Sequence, residues 1–385
     1  MTFTPALTPT LLTLSLSYLL TLMRIDIIAG ARPNFMKIGP IIRQLKIYNA
    51  AHPEKAFQFR LIHTGQHYDR NMSESFFEQL GIPEPDLNLG AGSGTQASQT
   101  AQIMIGYETA IREWKPDICI VVGDVNSTMA CSIVAKKAGI KVAHVEAGIR
   151  SGDWTMPEEI NRIVTDSITD YFFTTSEEAN TNLLKAGHAE SQVYYVGNTM
   201  IDSLLNHLDK LIKPEFFDTS FEGEKYIVLT LHRPSNVDDP AKLAILLDKI
   251  HDAVNDCKVL FPMHPRTKKI FDAIGKDYPQ FVIVEPMSYL EFMYAIRHAA
   301  GVVTDSGGIT EETTVLNIPC ITLRDSTERP ETIRLGTNEL VKDHTLIAGY
   351  IRKMIAGEWK QTQPIKFWDG KTSERIVEAL ASMRT

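Results

Sequence analysis

The sequence is poor in cysteine and has no dense stripe of basic residues. Four cysteines occur in 385 residues, with no Cys-x-x-Cys or Cys/His spacing typical of zinc sites: Cys119, Cys131, Cys257 and Cys320. Because they are far apart in apolar or helical contexts, we expect buried, reduced thiols in a cytoplasmic protein. The net charge of −8 without clustered Lys and Arg argues against a nucleic-acid partner, because binding to a phosphate backbone needs clustered basic charge.

The first 22 residues are apolar and hydroxylated, yet they lack the features of a signal or membrane span. They have no basic start, Pro5 and Pro9 interrupt them, and their apolar part is short. Met23 follows directly, and RIDII after it begins like the first strand of a nucleotide-binding domain. We therefore predict that residues 1–22 are a non-structural extension, with Met23 as the natural start and no stable membrane association. A weak membrane anchor is the alternative.

Apolar, β-branched runs recur along the chain, each followed by a polar or Gly-rich loop and a helical pattern. There are eleven: RIDIIAG, FRLIHTGQH, ICIVVGD, KVAHVEAG, YFFTTS, VYYVGNT, YIVLTLHR, KVLFPMHP, FVIVEPM, GVVTDSGG and CITLRD. Such strands are typical of parallel sheets covered on both faces, and eleven are too many for one ordinary open sheet. With 44% apolar and 22% charged residues, the composition is that of a soluble α/β enzyme.

We therefore predict an α/β fold of two doubly wound, Rossmann-like domains that face a central cleft. The boundary has no low-complexity linker to mark it. We place the first domain at residues 23–197 and the second domain at residues 198–362. Residues 363–385 are predicted to form a C-terminal helix that packs back on the first domain.

Polar residues collect at the predicted carboxyl ends of these strands, where open α/β sheets bind ligands. They are Arg32, Lys37, His67, Asp124 and Glu146 in the first half, and His232, Arg233, His264, Arg266, Ser306, Glu312 and Arg329 in the second. Taken singly, each has a structural alternative. Asp124 could cap a helix starting near Ser127, Glu146 could accept from loop amides, and His232 could be a hydrogen-bonded loop residue. Together at strand ends, they favour a ligand site.

Two loops carry the most informative pattern in the chain. Residues 304–312 read TDSGGITEE and residues 324–331 read RDSTERPE, and each segment follows a predicted strand. The glycines of the first loop open a helix and let backbone N–H groups approach an anion. Arg324 and Arg329 offer guanidinium groups that bind phosphate or ribose oxygens bidentately. The pair of loops predicts a diphosphate held between them.

An ordered set of segments resembles one enzyme family, from Met23 to about Val341. The segments are GARPNFMKIGPI, TGQH, GDVNST, HVEAGIRSGD, PEEINR, VGNTMIDSL, LHRPSN, TDSGGITEE and RDSTERPE. They resemble the non-hydrolysing UDP-N-acetylglucosamine 2-epimerases. The resemblance implies a GT-B-like arrangement and the interconversion of UDP-GlcNAc and UDP-ManNAc. It also implies a homodimer and no cofactor or metal.

The resemblance further implies how the chemistry proceeds. A proton is removed from sugar C2 while UDP leaves C1, and UDP then adds back to 2-acetamidoglucal with protonation at C2. The implied carboxylates are Asp124, Glu146 and Glu158, and His232 would assist at the leaving diphosphate or as an acid. Which carboxylate removes the proton and which returns it is left open. Carboxylates that share a cleft have coupled pKa values, one of them raised toward neutrality.

The substrate-binding residues also follow from the resemblance. Arg32 and Lys37 would lie near the phosphates and sugar, and Arg233 and His264 would join them from the second half. The remaining positions are the diphosphate turn, the ribose acceptor, a further nucleotide contact and an aromatic side chain beside uracil: Ser306, Gly307, Gly308, Glu312, Arg329 and Phe292. The alternative for Phe292 is ordinary helix core.

Some residues depart from the family pattern. Asn34 replaces a common Glu, Tyr68 replaces the Arg after TGQH, and Pro234 and Ser235 replace residues of an HRREN-like stretch. The loop between Gly152 and Glu158 is about two residues shorter than in familiar members. In many bacterial members these segments bind UDP-GlcNAc as an allosteric activator, so the sequence gives no basis for expecting that regulation. A modified substrate, such as a UDP-linked diacetamido uronic acid, would also fit.

Three other functions use a similar cleft. A hydrolysing epimerase would release ManNAc and UDP, and the motif set favours retention of UDP instead. A GT-B glycosyltransferase would use the same nucleotide loops but has little need for Asp124, Glu146 and Glu158 together. A non-catalytic nucleotide-sugar sensor would not need unpaired acids beside a diphosphate.

Overall fold

The computed structural model describes residues 22–65, 77 and 80–384. Its strands are β1 Arg24–Ala29, β2 Gln58–His63, β3 Leu87–Asn88, β4 Ile118–Val122, β5 Lys141–Ala147, β6 Tyr171–Thr174, β7 Val193–Tyr195, β8 Tyr226–Thr230, β9 Lys258–Pro262, β10 Phe281–Val284, β11 Gly301–Thr304, β12 Cys320–Thr322 and β13 Asn338–Leu340.

The helices lie between these strands and after the last one. The α-helices are Arg32–Ala51, Gln96–Trp114, Asn126–Lys137, Pro157–Ile168, Glu177–Lys185, Thr199–Leu205, Phe217–Ser220, Pro234–Val237, Pro240–Val254, Pro265–Ile274, Tyr289–Arg297, Ile309–Leu316, Pro330–Arg334, Ile347–Ala356 and Thr372–Ser382. Three short 3₁₀ helices are Pro53–Lys55, Glu190–Gln192 and His344–Leu346.

The strands form two separate parallel sheets. The first has the order β3-β2-β1-β4-β5-β6-β7 and the second the order β10-β9-β8-β11-β12-β13. In each sheet the order reverses once, between β1 and β4 and between β8 and β11. Doubly wound sheets bind ligands in the crevice beyond the carboxyl ends of the strands at such a switch point. The predicted fold class is confirmed.

All eleven predicted strands are present in the structure. It adds β3 and β13, which the sequence pattern did not indicate. β3 has two residues and β13 has three, and neither Leu87–Asn88 nor Asn338–Leu340 is an apolar run. These edge strands form because a neighbouring strand already offers paired backbone groups, which is a tertiary effect.

Each sheet has a hydrophobic core on both of its faces. In the first sheet, Ile27 and Ile120 face one core and Val121 and Val142 face the other. The second sheet is covered in the same way by two further clusters. Continuous apolar strands are thus buried on both sides, as the lack of polar alternation in their sequences requires.

Two helices from the second half of the chain contribute to the core of the first sheet. In the short helix Thr199–Leu205, Met200 belongs to the core of the first sheet and Leu204 to that of the second. The C-terminal helix Thr372–Ser382 inserts Ile376 and Leu380 into the core of the first sheet. The described part of the chain therefore starts in the first domain with β1 and returns to it in this helix.

Within the part of the chain that the structure describes, no helix is long and apolar enough to cross a membrane. The same residues contain no cluster of His, Cys, Asp and Glu arranged to hold a metal ion.

Candidate active site

A cavity of about 230 Å³ lies between the carboxyl ends of the two sheets. Its lining comes from both domains: Pro33, Lys37, Gly123, Asp124, Glu146, Ile149, Arg162, Met200, Ser306, Gly307, Gly308, Glu311, Glu328 and Arg329. The loops and helices that carry these residues follow β1, β4, β5, β7, β11 and β12. The cavity therefore spans both switch points, where the sheet topology places a ligand.

Glu146 is the most enclosed carboxylate on the first-domain side of the cavity. It sits near the end of β5 with a φ of 68°, and the register between β5 and β6 shifts at this point. Its carboxylate pairs with Lys37 and, at 3.0 Å, with Nη2 of Arg329. Burial alone would raise the pKa of Glu146, but these two cations outweigh it and lower the pKa. The carboxylate of Glu146 is thus paired with the Lys37 and Arg329 side chains and not with loop amides.

Asp124 follows β4 and faces the same cavity. Its Oδ2 accepts a hydrogen bond from Nη2 of Arg162 at 2.5 Å. The next helix, Asn126–Lys137, has Val125 as its N-cap and no side-chain cap, so Asp124 does not cap it. The carboxylate is partly exposed and is held by Arg162 at the cavity wall.

A buried histidine lies directly behind these two acids. Nδ1 of His144 contacts Oδ1 of Asp166 at 2.7 Å, and its Nε2 contacts the carbonyl oxygen of Gly123 at 2.8 Å. An ionised carboxylate and a carbonyl oxygen both only accept hydrogen bonds, so this geometry favours a ring protonated on both nitrogens. The charge of His144 contributes to lowering the pKa of Glu146, after the larger effects of Lys37 and Arg329.

The PEEINR segment forms the start of the helix Pro157–Ile168 and divides its two glutamates between different surroundings. Glu159 is buried and accepts hydrogen bonds from the Ser151 and Gly152 amides and from Arg162. Burial would raise the pKa of Glu159, but these donors lower it. Glu158 is partly exposed and lies outside the cavity lining, and its charge acts on Arg233 in the second domain.

The TDSGG turn forms the second-domain wall. Gly308 is the N-cap of the helix Ile309–Leu316, and the Ser306 amide donates to Oγ1 of Thr304 at 2.9 Å. Gly307 packs on Arg324, where a Cβ would lie 2.8 Å from Nη1. Arg324 pairs with Glu328 at 3.0 Å, although its Nη1 is buried without a hydrogen-bond partner. Any residue larger than glycine would therefore displace the guanidinium.

Arg329 connects the two domains. Besides Glu146, it contacts Thr175 of the first domain at 3.3 Å and Glu311 of its own domain at 2.5 Å. Glu311 in turn accepts a hydrogen bond from Asn198 at 2.7 Å. Burial would lower the pKa of Arg329, but the surrounding carboxylates raise it. Burial and the charge of Glu146 raise the pKa of Glu311, against the opposing effect of Arg329.

His232 is oriented by a buried aspartate. Its Nδ1 pairs with Oδ1 of Asp305 at 2.7 Å, while the backbone amides of His232 and Arg233 donate to the same carboxylate. Burial would raise the pKa of Asp305, but His232 and the other donors lower it. This contact occupies Nδ1 and leaves Nε2 of the half-exposed ring to reach a ligand.

Glu312 is not part of the cavity lining. It is buried, and burial raises its pKa to about 8, against the effect of the Tyr289 hydroxyl. Its neighbour Glu311 lines the cavity instead. The ribose contact predicted for Glu312 stays a prediction.

The other predicted residues surround the cavity or lie farther out. Arg32 begins the helix Arg32–Ala51 and is exposed. His264 is exposed and caps the helix Pro265–Ile274, accepting from the Arg266 amide at 3.3 Å. Phe292 is partly buried and packs against the second-domain core, and its place beside uracil stays a prediction. His67 and Tyr68 lie outside the described residues.

Sequence reasoning missed several groups that shape the site: Asp305, Glu311, Arg162, Glu328 and Asn198. Each of these residues lies within one of the sequence motifs that indicated the site. The motifs did not show which of their residues face the cavity, because that depends on how each helix packs.

Two facing Rossmann-like sheets, a glycine-rich turn on one and carboxylates on the other, define a two-domain α/β enzyme of GT-B-like architecture. The family described as UDP-N-acetylglucosamine 2-epimerase matches residues 49–381. The chain belongs to this family, and the protein is therefore an isomerase.

Known relatives are similar over nearly their whole length. A UDP-N-acetylglucosamine 2-epimerase from Methanocaldococcus jannaschii is 42% identical over 373 residues, 93% of this chain and 99% of that protein. A UDP-2,3-diacetamido-2,3-dideoxy-D-glucuronate 2-epimerase from Pseudomonas aeruginosa is 36% identical, covering 94% of this chain and all of that protein.

A solved structure shows the same fold. The M. jannaschii UDP-GlcNAc 2-epimerase, crystallised in complex with UDP-GlcNAc and UDP, superposes with a TM-score of 0.81 at 41% identity. The match covers 94% of this chain and 100% of that one.

Proposed function

We propose that this isomerase interconverts UDP-GlcNAc and UDP-ManNAc without releasing the sugar, by eliminating UDP to 2-acetamidoglucal and adding it back. One observation carries the proposal. Asp124 and Glu146 of the first domain face the glycine turn and Arg329 of the second across a single cavity. Proton transfer at C2 and departure of a diphosphate at C1 need acids or bases and anion-binding groups on opposite sides of one sugar.

The second-domain wall supports the leaving-group half of the reaction. The glycine turn opens the helix Ile309–Leu316, whose first N–H groups favour an anion. Arg329 adds a guanidinium, and His232 is held by Asp305 so that Nε2 can donate to a diphosphate oxygen. These groups would stabilise the charge that develops on UDP as the C1–O bond breaks.

The ion pairs of Glu146 suggest how binding prepares the base. Lys37 and Arg329 neutralise Glu146 in this structure, and both are predicted diphosphate contacts. A diphosphate that takes over these cations removes the main cause of the lowered pKa of Glu146. Its pKa then rises toward the range in which a carboxylate exchanges a proton with sugar C2. Substrate binding would thus activate the acid–base pair.

Proton NMR with UDP-GlcNAc in D₂O tests the reaction. We expect UDP-ManNAc to accumulate with deuterium at C2, because the abstracted proton exchanges with solvent before it is returned. Free ManNAc with UDP would overturn the proposal in favour of a hydrolysing enzyme. Transfer of the sugar only when an acceptor is added would instead identify a glycosyltransferase.

Three single substitutions test the implied carboxylates. Asp124→Asn, Glu146→Gln and Glu158→Gln should each lower kcat by about 10²- to 10⁴-fold, the usual range for loss of a general acid or base. UDP affinity, measured by calorimetry, should change little. Glu374→Gln, an exposed change in the C-terminal helix, is the control. Full activity in all three variants would contradict the catalytic assignment.

A second substrate has a specific observation in its favour. The P. aeruginosa relative is named for a diacetamido glucuronate, and it covers the chain as fully as the M. jannaschii relative does. UDP-2,3-diacetamido-2,3-dideoxyglucuronate should therefore be offered in the same NMR experiment. A kcat/KM at least tenfold above that for UDP-GlcNAc would make it the substrate.

We also propose a cytoplasmic homodimer. Exposed apolar surface supports it, since Ile105 is 66% exposed beside a groove between the helices Gln96–Trp114 and Asn126–Lys137. Light scattering should give twice the 43.1 kDa chain mass, and Ile105→Lys should shift the species toward monomer if that groove is the interface. A monomeric wild type would contradict the proposal.

A further inference from the structure

A second cavity, of about 370 Å³, lies on another side of the first domain and has a marked bias of charge. It is bounded by the helix Arg32–Ala51, residues 80–82 and the segment after the helix Thr199–Leu205. Among the described residues that line it, Arg43, His207 and Lys210 are charged or titratable and none is acidic. We call it the basic cavity.

Two of these cations are not neutralised by the protein. The side chains of Arg43 and Lys210 are exposed and have no ion pair or hydrogen bond within the described ranges 22–65, 77 and 80–384. Other basic side chains of the described residues are paired, as Lys136 is with Asp170 and Arg162 is with Asp124. The unpaired charges therefore give the basic cavity a positive potential.

His207 provides the enclosed part of this arrangement. It is only 9% exposed, and its Nδ1 contacts the carbonyl oxygen of Ser203 at 2.7 Å. A carbonyl only accepts, so Nδ1 carries a proton and donates it. Nε2 has no hydrogen-bond partner in the described part of the chain, while the ring lines the cavity. A protonated Nε2 could donate a hydrogen bond to a ligand in the cavity.

We propose that the basic cavity binds a tetrahedral dianion, the phosphate group of a small phosphate monoester. Two fixed cations and one inducible one match a dianion better than a neutral or monoanionic ligand. The volume exceeds that of a phosphate group alone and lies in the range of small-metabolite sites. A protonated His207 would donate a hydrogen bond to the dianion, so we expect tighter binding at pH 6 than at pH 8.

The helices Arg32–Ala51 and Thr199–Leu205 contribute residues to both the basic cavity and the candidate active site. Lys37 and Met200 line the active-site cavity, while Arg43 and Ser203 line the basic cavity from the same helices. An anion that fixes these helices at one end therefore acts on groups at the other. Phosphate and UDP are expected to alter each other's affinity by the same factor, since coupling between sites is reciprocal. Only this coupling rests on the proposed function.

Calorimetry with sulfate tests the binding itself, because sulfate keeps its charge of −2 from pH 6 to pH 8. The full chain is first saturated with UDP so that the active site is occupied. We expect saturable sulfate binding at pH 6, at least fivefold weaker at pH 8. Glucose 6-phosphate, as a phosphate monoester of suitable size, should compete with sulfate. No saturable binding at pH 6 would overturn the proposal.

Matched variants assign the binding to this cavity. Arg43→Ala should weaken sulfate binding at least tenfold. Lys46→Ala, which removes the same charge one turn along the same helix, should change it less than twofold because Lys46 is exposed and does not line the cavity. If Arg43→Ala and Lys46→Ala weaken sulfate binding equally, the binding is general charge attraction and the proposed site is wrong.

His207→Gln should remove most of the difference in sulfate affinity between pH 6 and pH 8. An unchanged pH dependence would exclude His207 as the proton acceptor. If UDP itself does not bind, the proposed function fails. The comparison of Arg43→Ala with Lys46→Ala still reports on the basic cavity without UDP.

Discussion

Glu312 is a carboxylate held where its charged form is unfavourable. Its pKa of about 8 in the folded protein exceeds its ordinary value of 4.5 because it is buried. Between these two pH values the folded state binds more protons than the unfolded state. The stability that the protonated Glu312 permits is therefore present at low pH and is lost as the pH rises from about 4.5 toward 8.

Glu312→Gln keeps the shape of the protonated side chain and removes the titration. We expect its melting temperature to equal that of wild type at pH 5 and to exceed it at pH 8, as measured by calorimetry. If Glu312 accepts from ribose, UDP affinity falls at least tenfold in the same variant. Glu358→Gln, at an exposed position, is the control. A variant that is less stable than wild type at pH 8 would contradict the origin given for the raised pKa.

His144 is expected to influence the reaction through its effect on the pKa of Glu146. Removing its positive charge should raise the pKa of Glu146, since that charge contributes to lowering it. In His144→Gln, the limb of the pH–kcat/KM profile that reports Glu146 should therefore move to higher pH. His251→Gln, in the second domain, should leave the profile unchanged. A lower rate with an unmoved profile would indicate a purely structural role.

At the scale of elements, the loop after β5 depends on one close contact. Gly148 has a φ of 79°, and a Cβ there would overlap the carbonyl oxygen of Ala179 in the helix Glu177–Lys185. Gly139 has a similar φ of 76°, with nothing within 4 Å of the same added atom. The two glycines share the backbone requirement and differ only in the contact. Substitutions at these two glycines therefore separate the cost of backbone strain from the cost of steric overlap.

Gly139→Ala should cost about 1–2 kcal/mol, the usual price of a left-handed conformation for a residue with a side chain. Gly148→Ala should cost more, about 3 kcal/mol or above, because the loop or the helix must also move. Urea unfolding at fixed pH measures both. Equal losses would show that the backbone conformation alone sets the requirement.

The elements also show how far the sequence could predict this protein. Long apolar runs predicted eleven strands, and the polar residues at their ends located the cleft. The sequence did not separate Glu311, which lines the cavity, from Glu312, which does not. Adjacent positions on a helix point about 100° apart, so packing alone decides which one meets the cavity. The pairing of Glu146 with Arg329 likewise depends on how the two domains meet.

At the scale of the whole molecule, the first domain is completed by the last helix. Leu380 is fully buried in the core of the first sheet. Leu380→Ala should therefore destabilise that domain by about 2–5 kcal/mol, the usual range for a buried leucine. Hydrogen exchange should accelerate in the helix Arg32–Ala51. It should not change in β8 to β12.

Glu378→Ala changes an exposed position of the same helix and serves as the control for Leu380→Ala. It should leave exchange unchanged throughout. Equal acceleration in both sheets would mean that the domains open as one unit, and would contradict the assignment of this helix to the first domain.

The position of the C-terminal helix Thr372–Ser382 also affects the order in which the domains can fold during translation. A ribosome adds about 5–20 residues per second, so the helix Thr372–Ser382 emerges on the order of 10 to 40 s after β7. During that interval the second sheet is synthesised completely, while one face of the first sheet still lacks Ile376 and Leu380. The half of the protein translated first is thus the half that finishes folding last.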